Sequence, residues 1–378
     1  MVIGIMGFGT IGAGVYELAK SQPDLTVRHV LDIRELDIPE WTRRAEDLFE
    51  DPQVDTVIEV MGGLHPAYEF VVAALKAGKN VVTANKYLVA TYYDELIALA
   101  KAQGVAFRCT AAVGGGIGWL TALERVRRIE PVLAFEGIMN GTTNYILSNM
   151  ANNGLSFETA LSEAQALGYA EADPSADIDG LDIMHKALLS ANIAFDLSLD
   201  PKEVAVFGIR NITDDDVWNF KSRHLTCKIL GRAFQKEGKV AIFVQPTLLP
   251  EGSLTASVPM NFNLITYDTA YTGQMSYYGQ GAGRYPTAAN VVQDCLDLVA
   301  GVKEFYAKAA TKTAVDNSIA LYQYYVRTTA DTASLVTVEK WGDGLITKKM
   351  TVAEMAAFVQ KAKETDPKIF VAALKEKE

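Results

Sequence analysis

The first hundred residues alternate between short apolar runs and longer amphipathic stretches. VIGIM, VRHVL, DTVIEV, NVVT and VAFRC are brief runs rich in apolar and β-branched residues, the pattern of strands buried on both faces of a parallel sheet. Between them, AYEFVVAALKAG and YYDELIALAKAQG repeat apolar positions at helical spacing, so the rhythm predicts strands joined by helical crossovers. From about Trp119 the texture changes. GIMNGTTNYILSNMANNG is crowded with small polar residues ahead of an apolar stretch, and a second, α+β domain is predicted over 119–280. The α/β class with more than one domain agrees with a chain of 378 residues, too long for a single core.

The turn after the first run carries Gly7-Phe8-Gly9-Thr10-Ile11-Gly12 and leads into a helical pattern. Gly7 permits the tight turn, Gly9 lets a pyrophosphate approach the backbone, and Gly12 allows the helix to pack on the strand. The free N–H groups of the helix start then face the phosphates. The second run ends at Asp32, about the spacing of a carboxylate that binds the adenosine ribose. A Rossmann-type dinucleotide-binding domain is therefore predicted over 1–118. Asp32 favours NAD because it repels a 2′-phosphate, whereas nearby Arg34 could bind that phosphate, so both NAD and NADP remain open with NAD preferred.

Ligands of an open α/β sheet gather beyond the carboxyl ends of the strands. The loops expected there are VMGGLHPA, TANKYLVA and AAVGGGIGW. Gly62 and Gly63 would let the backbone pass close to nicotinamide, and Lys86 is placed to point into the cleft rather than to bulk water. Gly114-Gly115-Gly116 is costly to order and marks either a hinge or a place where main-chain groups act as ligands. Asn140, Thr142, Thr143 and Asn144 could cap a helix or line a polar pocket.

The run GYAEADPSADIDGLDIMHK gathers Glu171, Asp173, Asp177, Asp179 and Asp182 and ends in Lys186. A calcium loop with Gly180 at its sixth position would set Lys186 at the twelfth, where a chelating glutamate is needed. The metal reading of this run fails. The stretch LDIMHKALLSANIAF is helical in pattern, so Asp182 and Lys186 share a face at i and i+4. On a buried helix, Lys186 could shuttle a hydroxyl proton, with Asp182 and Glu171 orienting a polar, aminated substrate. His185 projects away and is read as structural.

Composition narrows the class. A net charge of −11 argues against nucleic acid, which demands clustered Lys and Arg. No apolar run reaches membrane-spanning length. The three cysteines, Cys109, Cys227 and Cys295, lack metal-like spacing and suit a reducing cytoplasm better than a disulfide framework. A small-molecule substrate is expected, with no nucleic-acid or membrane partner.

Taken in order, GFGTIGAGV, VIEVMGG, VVTANK, AAVGGGI, GIMNGTTNYIL, AQALGYAEADPSADIDGLDIMHKALL and GQGAGRYPTAANVVQD resemble homoserine dehydrogenase from the N-terminus to roughly residue 300. The resemblance implies NAD(P)-linked interconversion of L-homoserine and L-aspartate 4-semialdehyde, in threonine and methionine biosynthesis. It implies that Lys186 transfers the proton, that Glu171 and Asp182 hold substrate, and that Lys86 lies by nicotinamide and substrate. It also implies that Gly281 and Gly283 lie beside the cofactor, with 281–310 returning to the first domain. Main-chain oxygens of Thr110, Val113, Gly115 and Ile117 are implied as a sodium site, and a homodimer or higher homo-oligomer is implied through the second domain.

The chain departs from the family at Thr110, where glutamate is usual, and at Gly118-Trp119, where proline is usual. Residues 311–378 resemble a degenerate remnant of a regulatory ACT module, too short to be complete, and cooperative threonine inhibition is not expected. Two other readings are carried forward. One is an acylating semialdehyde dehydrogenase with Cys109 as nucleophile. The other is a cofactor-binding paralogue that senses redox state or acts on a different hydroxy amino acid.

Overall fold

The computed structural model describes residues 1–302 and 311–375. Residues 303–310, the end of the stretch expected to return to the first domain, and 376–378 lie outside the described residues. The chain forms two compact units: Met1–Pro131 with Leu189–Ser198 and Gln280–Lys312, and Val132–Leu188 with Leu199–Gly279 and Thr313–Glu378.

The first unit is a six-stranded sheet of β1 (Val2–Met6), β2 (Thr26–Leu31), β3 (Trp41–Thr42), β4 (Thr56–Glu59), β5 (Asn80–Thr83) and β6 (Phe107–Arg108). Its order is β3-β2-β1-β4-β5-β6, and each neighbouring pair is parallel. Strand order reverses between β1 and β4, which is the switch point where such sheets bind ligands. The apolar runs become strands because both faces are covered. Ile3, Ile5, Val30, Ile58 and Val82 pack with Val15 and Ala19 of α1 (Thr10–Lys20). Ala288, Val291 and Cys295 join the same core from the helix Arg284–Val299. Each large aliphatic side chain so buried contributes roughly 1.5–3 kcal/mol. Helices α1 and Arg284–Val299 approach closely because position 14 is glycine: a Cβ there would lie 3.1 Å from Ala288 Cβ and 3.2 Å from the Arg284 carbonyl oxygen.

The second unit is built on a mixed sheet, eleven-stranded among the described residues. Its centre is the hairpin Leu225–Lys236 and Lys239–Pro250, paired from Leu225↔Pro250 to Lys236↔Lys239. Glu237 (φ 52°) and Gly238 (φ 76°) close it, a two-residue turn whose positive φ values match the strand twist. Val132–Ile138 pairs with the hairpin on one side, and Phe370–Leu374 runs parallel to it on the other through Thr247↔Ala373 and Leu248↔Leu374. Leu321–Arg327 pairs antiparallel with Phe370–Leu374. The extension beyond residue 311 thus shares a sheet with the second unit. It also shares a core, in which Tyr324, Val326, Val371 and Ala373 pack with Ala241 and Phe243.

Candidate active site

The glycine turn of the first unit is built as its spacing requires. Gly7 has φ 98° and its N–H donates to the Leu31 carbonyl at 2.9 Å. A Cβ on Gly12 would lie 2.0 Å from the Gly7 carbonyl oxygen, whereas one on Gly9 would meet nothing within 4 Å. Gly12 therefore closes the turn from inside, and Gly9 leaves its outer side open. Gly9 is the N-cap of α1, with no side chain satisfying the helix start, so Thr10 and Ile11 present main-chain N–H groups of the kind that bind phosphate. These residues fit a dinucleotide pyrophosphate.

Asp32 lies just past the end of β2. Its Oδ2 accepts from the Phe8 N–H at 2.8 Å, and its Oδ1 accepts from the Arg34 N–H and Nε at 2.9 Å each. Arg34 Nη2 also donates to the Phe8 carbonyl at 2.7 Å. The Arg34 side chain, followed by main-chain N–H donors, holds the Asp32 carboxyl down at about 2. The predicted pair is thus one cluster that ties the Asp32 carboxylate to the glycine turn.

At the ends of β4 and β5, the decisive side chain is one the sequence reading did not single out. Glu59 is fully buried. It accepts from Thr83 Oγ1 at 2.5 Å, Asn85 Nδ2 at 3.4 Å and the N–H groups of Met61 and Gly62 at 2.8 and 3.3 Å. Burial pushes its carboxyl upward against these donors. Asn85 Nδ2 also donates to the Gly63 carbonyl at 2.7 Å, and its Oδ1 caps the helix Lys86–Gln103 through the Leu88 N–H at 3.1 Å. Glu59 and Asn85 therefore fix Gly62 and Gly63 (φ 78° and 71°) together with half-buried Lys86 on one rigid edge.

The triple-glycine loop packs main chain on main chain. A Cβ on Gly115 would lie 2.7 Å from the Gly281 carbonyl carbon, and the Gly116 N–H donates to the Gln280 carbonyl at 3.2 Å. Asn290 Nδ2 donates to the Gly115 carbonyl. Gly283, with φ 117°, starts the helix Arg284–Val299. Thr110 is buried and donates through N–H and Oγ1 to Asp294 at 3.0 and 2.6 Å. Asp294 also receives Arg108 Nε at 3.0 Å. Val113 is buried and Ile117 half-buried. Gly118 takes φ 61° before the helix Trp119–Val126, and buried Trp119 donates Nε1 to Ser190 Oγ at 2.9 Å.

In the second unit, Asp182 and Lys186 lie on the helix Leu181–Phe195. Each is only 7 % exposed. Lys186 Nζ donates to Asp182 Oδ2 at 2.8 Å and to the Met139 carbonyl at 2.7 Å. Asn140, the N-cap of the helix Gly141–Asn153, donates Nδ2 to Asp177 Oδ1 at 2.6 Å and to Asp182 Oδ2 at 2.8 Å. Its Oδ1 accepts from the Thr143 N–H at 2.8 Å. The helix seats on the sheet because Gly231 lies beneath it: a Cβ there would be 2.9 Å from Ile183 Cγ2. Asp177, one of the carboxylates of the acidic run, thus belongs to this cluster. The exposed Glu171 does not join it; its main-chain oxygen accepts from Gln165 Nε2 at 3.0 Å. Asp179 pairs with Arg210 at 2.7 Å, and Asp173 Oδ1 accepts from the Ser175 N–H at 3.1 Å.

A second buried lysine was missed altogether. Lys228, 2 % exposed, donates to Asn144 Oδ1 at 2.7 Å, Val258 O at 2.8 Å and Ser148 Oγ at 3.2 Å. Desolvation brings its ammonium down to about 8. Cys109 is fully buried, which disfavours it as a nucleophile open to substrate.

Comparison with known proteins bears directly on this arrangement. The model of the homoserine dehydrogenase family matches residues 119–296, and that of the homoserine dehydrogenase NAD-binding domain matches 7–110. The homoserine dehydrogenase of Bacillus subtilis is 38 % identical over 317 residues, covering 80 % of this chain and 73 % of that one. The chain belongs to the homoserine dehydrogenase family. The homoserine dehydrogenase of Corynebacterium glutamicum is 39 % identical over 312 residues, 77 % of this chain and 70 % of that one. Among solved structures, the homoserine dehydrogenase of Thiobacillus denitrificans superposes with a TM-score of 0.89 at 31 % identity, covering 100 % of this chain and 98 % of that one. A hyperthermophilic archaeal homoserine dehydrogenase in complex with NADPH gives 0.69 at 25 % identity over 79 % of this chain and 98 % of its own. This homoserine dehydrogenase family member is accordingly an NAD(P)-dependent oxidoreductase, and the sensor and acylating readings are not favoured. Among the described residues no helix is long and apolar enough to cross a membrane.

Proposed function

We propose that this member interconverts L-homoserine and L-aspartate 4-semialdehyde in the cytoplasm, with Lys186 as the proton-transfer residue. The observation that carries this reading is the buried Asp182–Lys186 pair, whose Nζ reaches Asp182 and the Met139 carbonyl at 2.8 and 2.7 Å. A surface pair at i,i+4 is worth only about 0.3–0.5 kcal/mol. A lysine held out of water can instead exchange its proton with a substrate hydroxyl.

The nicotinamide, when bound, supplies the acceptor or donor of hydride. Gly7, Phe8, Gly9, Thr10, Ile11 and Gly12 would hold its pyrophosphate, Asp32 and Arg34 would hold its adenosine ribose, and Gly62, Gly281 and Gly283 would offer it main chain. Lys186 takes the hydroxyl proton during oxidation and returns it during reduction. Asp182 keeps the ammonium of Lys186 aimed. Glu171, outside the buried cluster, is the residue proposed for the substrate ammonium, and Lys86, at the nucleotide-binding edge of the first unit, the one proposed to lie by nicotinamide.

NAD is the preferred cofactor and NADP is accepted, because the Arg34–Asp32 ion pair partly cancels the charge that would repel a 2′-phosphate. A sodium ion on the carbonyls of Thr110, Val113, Gly115 and Ile117 would share the Gly115 oxygen with the Asn290 amide, since a carbonyl oxygen carries two lone pairs. A homodimer through the second unit follows the family expectation.

The deciding experiment is reduced-nicotinamide formation by purified protein with L-homoserine and either NAD or NADP, beside a Lys186→Ala control. Homoserine-dependent signal lost in the control supports the reading. Silence with both cofactors, under conditions where binding is detected, overturns it.

A further inference from the structure

We infer that Asn140 is a positioning residue that sets how readily Lys186 gives up its proton. The argument starts from the inventory of one amide. Asn140 is 4 % exposed. Its carbonyl oxygen is committed to the start of the helix Gly141–Asn153, accepting from the Thr143 N–H at 2.8 Å and Thr143 Oγ1 at 3.0 Å. That fixes the orientation of the amide, so its NH₂ must face the other way. There it donates to Asp177 Oδ1 at 2.6 Å and to Asp182 Oδ2 at 2.8 Å. Both amide hydrogens are therefore spent on carboxylates, and the oxygen of Asp182 that receives one of them is the same oxygen that receives Lys186 Nζ.

The charges on this network come from Asp177 of the short helix Ser175–Ile178 and from Asp182 and Lys186 of the helix Leu181–Phe195. Half-buried His185 lies on that same helix. The helix Gly141–Asn153 contributes the neutral Asn140, and the strand below contributes Gly231. Two carboxylates brought together raise each other's proton affinity and tighten the hold on a neighbouring ammonium. A neutral double donor has the opposite effect. It stabilises both carboxylates without adding positive charge beside Lys186, and it draws on the same Asp182 lone pairs that retain the lysine proton. Asn140 thus loosens the grip of Asp182 on Lys186 while keeping the ammonium aimed. The inference rests on the proton-transfer role proposed for Lys186.

Asn140→Ser and Asn140→Asp test it, because Ser and Asp are N-caps as good as Asn and both lack the NH₂ bridge. The variants are assayed for pH dependence of kcat and kcat/KM in homoserine oxidation. The 15Nζ signal of Lys186 is titrated in parallel in lysine-labelled protein, assigned by its loss in Lys186→Arg. The expected result is a displacement of both the basic rise in rate and the Lys186 titration to higher pH, by half a pH unit or more in Asn140→Ser and further in Asn140→Asp. The thermal midpoint of Asn140→Ser should stay within a few degrees of the parent, while Asn140→Asp, which adds a third carboxylate beside Asp177 and Asp182, should melt earlier. Rates lowered equally at every pH, with an unmoved Lys186 titration, would reduce Asn140 to a helix cap and overturn the inference. Should the parent protein oxidise no homoserine, the functional reading fails while the lysine titration still decides what Asn140 does.

Discussion

Asp182 Oδ2 accepts two hydrogen bonds of equal length, 2.8 Å from Lys186 Nζ and 2.8 Å from Asn140 Nδ2. A carboxylate oxygen shared in this way holds an ammonium in place without neutralising it. Lys186→Arg keeps the positive charge beside Asp182 but offers a guanidinium that does not deprotonate in proteins. Turnover in Lys186→Arg and Lys186→Ala should therefore fall together, by about 10²–10⁴-fold. Cofactor affinity, followed by calorimetry, should change less than about twofold. The thermal midpoint should separate the two, because only the alanine variant leaves a buried carboxylate without its cation, a loss of about 3–5 kcal/mol. Equal turnover in parent and arginine variant would remove Lys186 from proton transfer.

The glycine turn makes a paired prediction. Gly12→Ala drives a Cβ to 2.0 Å from the Gly7 carbonyl oxygen, while Gly9→Ala places one in open space. The first substitution should lower stability by about 1–3 kcal/mol or more and abolish nucleotide binding. The second should leave the melting curve alone and still weaken nucleotide binding at least tenfold, because only the ligand meets the new methyl. Melting curves and binding isotherms on both variants check this.

The Asp32–Arg34 pair predicts how cofactor choice divides. The Arg34 hydrogen bond is the largest influence holding Asp32 near 2. Arg34→Ala leaves a carboxylate with no cation beside it, so KM for NADP should rise at least tenfold while that for NAD changes little. Asp32→Ala should do the reverse and penalise NAD more. Matched kinetics with both cofactors provide the check.

Lys228 predicts a feature of alkaline stability. Its folded value of about 8 lies below the ordinary 10.5, so between these pH values the unfolded chain binds a proton that the folded chain does not. Stability contributed by this group is therefore lowest below pH 8 and rises towards 10.5. Burial pushes the Cys227 thiol from 9.0 up to about 12, which works in the opposite sense by favouring the unfolded thiolate above pH 9. The difference in unfolding free energy between parent and Lys228→Met isolates the lysine, and measured by urea titration it should change by on the order of 3 kcal/mol between pH 7 and pH 10. A difference independent of pH would place the Lys228 titration elsewhere.

How much of this was legible in the sequence follows from the distance between partners. Gly7, Gly9 and Gly12 act within one turn, so their spacing alone announces what each does. Asp182 and Lys186 are four residues apart on a helix and could be paired on periodicity. Asn140 touches carboxylates 37 and 42 residues away, and nothing local separates that from ordinary capping. The partner of Gly14, Ala288, lies on a helix far along the chain. Lys228 stands in LTCKILGRAF, where alternation makes a lysine look solvent-facing. Only the pairing of its strand with Lys239–Pro250, and the cover given by Asn144 and Ser148, turns it inward.

The place of the tail in the fold was hidden from the sequence for a related reason. Strand Phe370–Leu374 is short and apolar, and its partner Lys239–Pro250 is more than a hundred residues upstream. Sequence could show that an extension existed, but not that it joins the sheet of the second unit.

That arrangement has a consequence for synthesis. The core of the first unit needs Ala288, Val291 and Cys295, and that of the second needs Val371 and Ala373. A ribosome adding about 5–20 residues per second therefore exposes the first βαβ segments for many seconds before their last covering helix emerges. The second unit must wait for almost the entire described chain. Ribosome-stalled chains ending before residue 284 should leave both units open to protease, while those extended past 374 and clear of the exit tunnel should close both.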